Sequence, residues 1–266
     1  MIDIQVTSYR QEGLQNLAQS MVDSGLSEAG AILSVSYDEQ AIDIRSFYKF
    51  PFMRMIPQPK FTGIPPMYAM RREIHQLGVR LPWMLFDDDD MFVQDSVEYL
   101  EGCVNFINKF EELTNRSCYI GTAGIFGSNY HQDKIHISPQ NVIMPKGNGI
   151  VFSKNIDFSG SFFSQYDPLV GGFEDDFFTA LAVHYFDAVP FKRFMNPSKA
   201  SFRKEKDRGK SDIHRYDIWD DNIFKAIRDL SGDQNWIYPT GMGAKGTKTP
   251  KPWIKYAEKL KEELGF

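Results

Sequence analysis

Cysteine is scarce in this chain, with two in 266 residues, Cys103 and Cys118. So few thiols exclude a disulfide-stapled scaffold, and the sequence predicts both as free thiols of a reducing compartment. Long apolar runs are missing too. The longest, such as Leu81–Phe86 interrupted by Pro82, fall far short of the roughly 20 residues that a membrane-spanning helix needs. The first residues, MIDIQVTSYRQEG, carry an acid at Asp3 and lack the apolar segment of a secretory signal, so a cytoplasmic setting is expected. There is no G-x-x-x-x-G-K-[ST], which argues against a P-loop NTPase, and no G-x-G-x-x-G after the first strand, which argues against a dinucleotide enzyme. Neither an internal repeat nor a clear inter-domain linker is visible.

What is present is a globular composition. Hydrophobic residues make up 42% and aromatics 14%, with 22 Phe and 12 Tyr, enough to fill a large core. Lys and Arg number 30 against 35 Asp and Glu, a formal net charge of −5.

Ile2, Ile4 and Val6 alternate with polar residues and predict a strand ending at Thr7-Ser8-Tyr9. Leu14, Leu17, Met21 and Val22 have helical spacing and stop at Gly25; Ala31–Val35 then predicts a second strand. Strand, helix and strand at this spacing form a βαβ unit with a parallel pair. Residues 46–66 hold five of the 14 prolines and predict an irregular connection or lid. Helices are expected at Met67–Leu77, Val97–Leu113 and Phe177–Phe186, and strands at Leu81–Phe86, Ser117–Phe126 and Gly149–Ser153, with 128–150 loop-rich. A last helix is expected at about 252–264. Residues 191–210 carry eight bases and two acids, and 241–266 six bases and three acids.

The apolar strand at 81–86 runs directly into Asp87-Asp88-Asp89-Asp90. Ligands of open α/β sheets bind beyond the carboxyl ends of the strands, which is where this run is delivered. Carboxylates gathered there suit a hard divalent cation, Mg²⁺ or Mn²⁺. A second acidic cluster, Glu174-Asp175-Asp176, follows Gly171-Gly172 and opens a helix. Acids in a first turn interact favourably with the helix dipole, and a carboxylate there is also suited to general-base chemistry. Downstream, His214 stands between Lys210 and Arg215, bases able to neutralise an anionic leaving group.

The segment from Ala69-Met70-Arg71-Arg72 through Leu81–Asp90 resembles the donor-site signature of nucleotide-sugar glycosyltransferases of the GT-A fold, in which an apolar strand ends in an Asp-x-Asp motif. Both Asp87/Asp89 and Asp88/Asp90 fit, and Asp87 with Asp89 follows the strand directly. The resemblance covers about residues 2–215. It implies a single Rossmann-like α/β domain with a mostly parallel central sheet flanked by helices, followed by a basic C-terminal helical extension. Residues 1–127 would bind the nucleotide sugar, 128–240 would supply the acceptor and catalytic part, and 241–266 the tail helix. It implies Mn²⁺ or Mg²⁺ held by Asp87, Asp89 and His214. Thr7, Tyr9, Arg10, Asp38, Arg71, Asp87, Asp88, Lys210 and Arg215 would contact the donor. The general base would be Asp175, with Asp176 and Glu174 beside it.

The activity so implied is transfer of a hexosyl or pentosyl group, with inversion, from a UDP-sugar to an acceptor hydroxyl on a carbohydrate, a lipid-linked saccharide or DNA. Two alternatives share the same features. One is a glycosyltransferase acting on hydroxylated DNA bases, as some phage enzymes do. The other is a non-catalytic α/β protein that binds nucleic acid through its basic stretches. Removing the seven acids of the two clusters leaves 28 acids against the 30 bases, so the charge is polarised into an acidic pocket and a basic C-terminal third.

Overall fold

The computed structural model describes residues 1–59, 67–88, 90–93, 95–122, 136–139, 149–167, 174–194 and 202–203. Strand β1 (Asp3–Ser8) leads through helix α1 (Gln11–Asp23) to β2 (Ile32–Asp38), which pairs with β1 in parallel, as the alternation predicts. Strand β3 (Met53–Gln58) follows, then α2 (Met67–Gln76), β4 (Trp83–Leu85) and a two-residue β5 (Asp90–Met91). Next come α3 (Ser96–Thr114), β6 (Cys118–Thr122), β7 (His136–Pro139) and β8 (Ile150–Phe152). Helix α4 (Glu174–His184), β9 (Val189–Phe194) and β10 (Phe202–Arg203) complete the described elements.

The main sheet has the order β3-β2-β1-β4-β8-β6-β9-β7, and β5 and β10 form a small second sheet. The pairs β3/β2, β2/β1, β1/β4 and β6/β9 are parallel; β8 runs antiparallel to both β4 and β6, and β7 antiparallel to β9. The sheet is thus mostly parallel, with an αβα arrangement.

Two apolar clusters fill its faces. On one, Ile2, Ile4, Val6, Leu33, Val35, Met84 and Phe86 pack with Leu14, Leu17 and Met21 of α1 and Cys103, Ile107 and Phe110 of α3. On the other, Trp83, Leu85, Tyr119 and Phe152 pack with Tyr68 of α2 and Phe177, Phe178 and Leu181 of α4. Strand side chains alternate between faces. The second face therefore also receives Asp3, Gln5 and Thr7 from β1 and Ser34 and Ser36 from β2, all buried. Cys103 and Cys118 are buried free thiols, as expected.

Three strands of the main sheet depart from the sequence reading, as do the short β5 and β10 of the second sheet. The proline-rich 46–66 stretch contains the regular strand β3 as well as a 3-10 turn at Ile44–Phe47. The carbonyls of Phe52 and Gln58 accept from β2 and its end, so alternation turns the Pro57 nitrogen toward the open sheet edge, where a missing N–H breaks no ladder. The loop-rich 128–150 region contains β7. Residues after 188 begin with β9, whose Pro190 lies beyond the part of β9 that pairs with β7. The basic helix expected at 252–264 lies outside the described residues, as does most of 191–210. Among the described residues no helix is long and apolar enough to cross a membrane.

Candidate donor site

The parallel strands β1, β2 and β4 end on the same edge of the sheet, and most of the expected donor residues arrive there. Thr7 sits near the end of β1 and is buried; Tyr9 and Arg10 follow it in the loop before α1. Asp38 ends β2, where its carboxylate accepts the Gln40 N–H at 2.8 Å. Asp87 and Asp88 follow β4.

The acidic run does not behave as four equivalent charges. Asp87 faces outward, its side chain 53% exposed, whereas Asp88 and Asp90 are each only 3% exposed. Asp90 belongs to β5 and pairs in register with Arg203 of β10. Asp88 points inward: one carboxylate oxygen accepts the Ser8 hydroxyl at 2.6 Å, and the other accepts the Arg10 guanidinium. The turn closed by the Asp90 N–H on the Asp87 carbonyl, with Ser8 and Arg10 holding Asp88 inward, separates these neighbours, which the composition of the run could not reveal. Asp89 lies outside the described residues.

Arg71 is fully buried in α2, and its guanidinium donates to the carbonyls of Gln5 (2.6 Å) and Phe86 (3.0 Å). The same group lies 3.5 Å from the Asp87 carboxylate. A planar guanidinium fork suits this job, since it binds the ends of β1 and β4 while directing positive charge at the acid. Arg71 therefore supports the site from within. The next residue, Arg72, forms a two-pronged pair with Asp167 at 2.9 and 3.0 Å and also donates to the Phe158 carbonyl. That pair ties α2 to the segment leading into α4, and hydrogen bonding to the carboxylate raises the Arg72 pKa further.

Helix α4 begins where the sequence placed its acidic cluster, and the backbone of Glu174, Asp175 and Asp176 forms its first turn. Its next residue, Phe177, meets Tyr68 edge-on at 5.2 Å and Tyr166 at 5.0 Å. Tyr68 lies one turn before Arg71, so the start of α4 stands beside the helix that supports Asp87. The bases Lys210 and Arg215 and the expected metal ligand His214 lie outside the described residues.

Several residues of the site carried no assigned role in the sequence reading. Ser8 closes onto Asp88, and Gln5 lends its carbonyl to Arg71. Gly13 sits inside α1 where a Cβ would lie 2.7 Å from the Asp88 carbonyl oxygen, so only glycine lets the helix approach the acidic turn. A glycine in a helix interior is itself the signal for such an approach. On the second face of β1 and β2, the Gln5 Oε1, Thr7 Oγ1 and Ser36 Oγ atoms are buried and have no hydrogen-bond partner among the described residues. Thr7 and Ser36 are register partners, so two of these hydroxyls stand side by side.

Two histidines of the described helices lie away from the acidic turn's carboxylates, one buried and one half-buried. His75 is fully buried against Trp83 (4.7 Å, perpendicular) and Phe158, and its Nδ1 accepts the Phe158 N–H at 3.2 Å. Burial lowers its pKa and holds the ring neutral despite Asp157 at 3.3 Å. His184 ends α4, and burial lowers its pKa as well.

Comparison with solved structures gives this arrangement its context. The chain superposes on TarS 1–349 of S. aureus with a TM-score of 0.54 at 11% identity, covering 86% of this chain and 64% of that one. TarS 1–349 in complex with UDP-GlcNAc gives a TM-score of 0.55 at 10% identity, covering 86% of this chain and 66% of that one. The likeness is one of fold. A mannosyltransferase, PcManGT from Pyrobaculum calidifontis in complex with GDP-Man and Mn²⁺, matches with a TM-score of 0.52 at 11% identity, covering 97% of this chain and 69% of that one. The chain thus spans just under two thirds of the length of TarS 1–349. No protein-family model matches the sequence, and no curated protein matches it.

Proposed function

We propose that the chain is a metal-dependent, inverting glycosyltransferase that moves a hexosyl or pentosyl group from a nucleoside-diphosphate donor to an acceptor hydroxyl. The observation that carries this reading is the arrangement of four features. The outward Asp87 with Arg71 at 3.5 Å, and Arg10 in the loop after β1, lie at the carboxyl ends of parallel strands, and α4, which opens on the acidic cluster, packs its Phe177 against Tyr68 of the helix that carries Arg71. Glycosyltransferase structures bound to UDP-GlcNAc, or to GDP-Man with Mn²⁺, share the fold and favour a donor of that class.

In this reading Thr7, Tyr9 and Asp38 receive the nucleoside, and the hydroxyls of Thr7 and Ser36, which have no partner among the described residues, suit a polar ligand at that end of the sheet. Among the described residues no group of three or more His, Cys, Asp and Glu side chains is placed to hold a metal. Asp87 is the described member of the expected set, and its exposed carboxylate is the hard oxygen donor that Mn²⁺ or Mg²⁺ prefers. Asp89 and His214 complete that set. When bound, the metal neutralises charge on the donor diphosphate.

Asp175, with Asp176 and Glu174 beside it, takes the proton of the acceptor hydroxyl. The acceptor oxygen bonds to the anomeric carbon as the bond from that carbon to the diphosphate breaks, and nucleoside diphosphate leaves. Lys210 and Arg215 balance the leaving charge. The acceptor is a carbohydrate or lipid-linked hydroxyl; a DNA acceptor would instead show salt-sensitive duplex binding.

Calorimetric titration of UDP and GDP, with and without Mn²⁺, tests the reading. Metal-dependent binding that is lost in Asp87→Ala and Asp89→Ala is the expected result. No binding of either nucleotide, or binding indifferent to metal and to both substitutions, overturns it.

A further inference from the structure

We propose that Asp88 touches neither donor nor metal but acts with Ser8 as a positioning pair for Arg10; this rests on the donor site proposed above. Both oxygens of the buried Asp88 carboxylate are engaged inside the protein, one by the Ser8 hydroxyl at 2.6 Å and one by the Arg10 guanidinium. The same Ser8 oxygen accepts the Arg10 backbone N–H at 3.2 Å. Ser8, Arg10 and Asp88 thus close a ring that fastens the loop after β1 to the turn after β4. On the far side of the turn, the Asp88 carbonyl lies against Gly13 of α1, where a Cβ would be only 2.7 Å away. Side chain and backbone of Asp88 are therefore both held, and its outward neighbour Asp87 takes its direction from a fixed point.

The consequence for Arg10 is orientation. Its side chain keeps 26% of its surface exposed while Asp88 grips the guanidinium. An unheld arginine loses rotamer freedom when it binds a ligand; a held one has lost it already, and its fork meets a diphosphate with less ordering cost. Asp88 also supplies the counter-charge that lets Arg10 sit partly buried next to two strand ends. The acidic run is thereby divided by function: its first residue serves the ligand, and its second serves the arginine.

The test uses the full chain and UDP with saturating Mn²⁺, read by calorimetry. Arg10→Ala, Asp88→Asn and Ser8→Ala are each expected to weaken UDP binding, by about tenfold for loss of a charge-assisted bond. Asp88→Asn combined with Arg10→Ala should bind as weakly as Asp88→Asn alone, and Ser8→Thr should restore binding. Mn²⁺ titrated without nucleotide should bind Asp88→Asn as it binds the wild type. In turnover assays the donor KM should rise in Ser8→Ala with kcat little changed. Additive loss in the double variant, or weakened Mn²⁺ binding by Asp88→Asn alone, would make Asp88 a ligand and overturn the proposal. If Asp88→Asn does not fold, Ser8→Ala and Ser8→Thr decide the matter by the same UDP titration. Binding by the wild type that Ser8→Ala leaves unchanged overturns the positioning role alone; absence of any nucleotide binding by the wild type removes the donor site and this role together.

Discussion

Acidification should destabilise the chain through His75, and a single substitution isolates that effect. The ring is completely buried, and its Nδ1 accepts the Phe158 N–H, so protonation there would turn an acceptor into a donor facing a donor. Asp157 at 3.3 Å would welcome the charge, but desolvation is the larger influence, Arg71 and Arg72 add repulsion, and the pKa lies below its ordinary 6.5. The proton therefore prefers the unfolded chain: this contribution to stability is intact above about pH 6.5 and is lost as the pH falls through that value. If the native ring stays neutral throughout, linkage gives a loss of at most about 1.4 kcal/mol between pH 7.5 and 5.5.

His75→Asn keeps an acceptor near the position of Nδ1 and does not titrate. It should be less stable than the wild type at pH 7.5, where it leaves part of the ring volume empty, yet less sensitive to acid. Urea unfolding of both proteins at pH 7.5, 6.5 and 5.5 measures the two slopes. Asp157, whose pKa is lowered, contributes only in a more acidic range, and His184 acts with the same sign in both proteins. Equal pH slopes for wild type and His75→Asn would refute the reasoning.

Gly149 has φ +86°, and a Cβ there would run into the Met84 side chain and lie 3.1 Å from the Phe86 ring. Gly149→Ala should cost about 2–4 kcal/mol from strain and overpacking together, read as a lowered urea midpoint. Asp3 is a buried carboxylate whose pKa is raised by desolvation, although the Ser34 hydroxyl donates to it at 2.7 Å. Asp3→Asn removes that charge and can pair its amide with Gln5 Oε1, which has no partner among the described residues, so thermal unfolding at pH 7 should shift upward, by about 2–4 °C for each kcal/mol gained. A fall in the midpoint would show that the charge on Asp3 is compensated in the fold.

Much of the first half of the fold was legible because its signals are local. The alternation of Ile2, Ile4 and Val6, the helical spacing of Leu14, Leu17 and Met21, and the apolar run before Asp87 each specify an element without help from distant residues. Strands β3 and β9 were not legible, since Pro57 and Pro190 argue against a strand until the edge of the sheet or the end of the pairing is known. The antiparallel sense of β8 could not be read either; a three-residue strand states its existence but not its direction. At the site, sequence placed the acids at the carboxyl end of β4 but could not divide them. The inward turn of Asp88 depends on Ser8 and Arg10, about eighty positions earlier, and that partnership is a property of the folded chain.

The reversed strand β8 also governs the order in which the molecule can be built. During synthesis, β1, β2, β3 and β4 can pair as soon as the first 85 residues are available, but the far side of β4 stays an unpaired edge until Ile150–Phe152 emerges. Only then are β6 and β9 joined to the donor half. An exposed edge in the middle of a future sheet is a point of mispairing between nascent chains. The strand that joins the two halves of the main sheet is therefore the step at which slow folding and aggregation should concentrate.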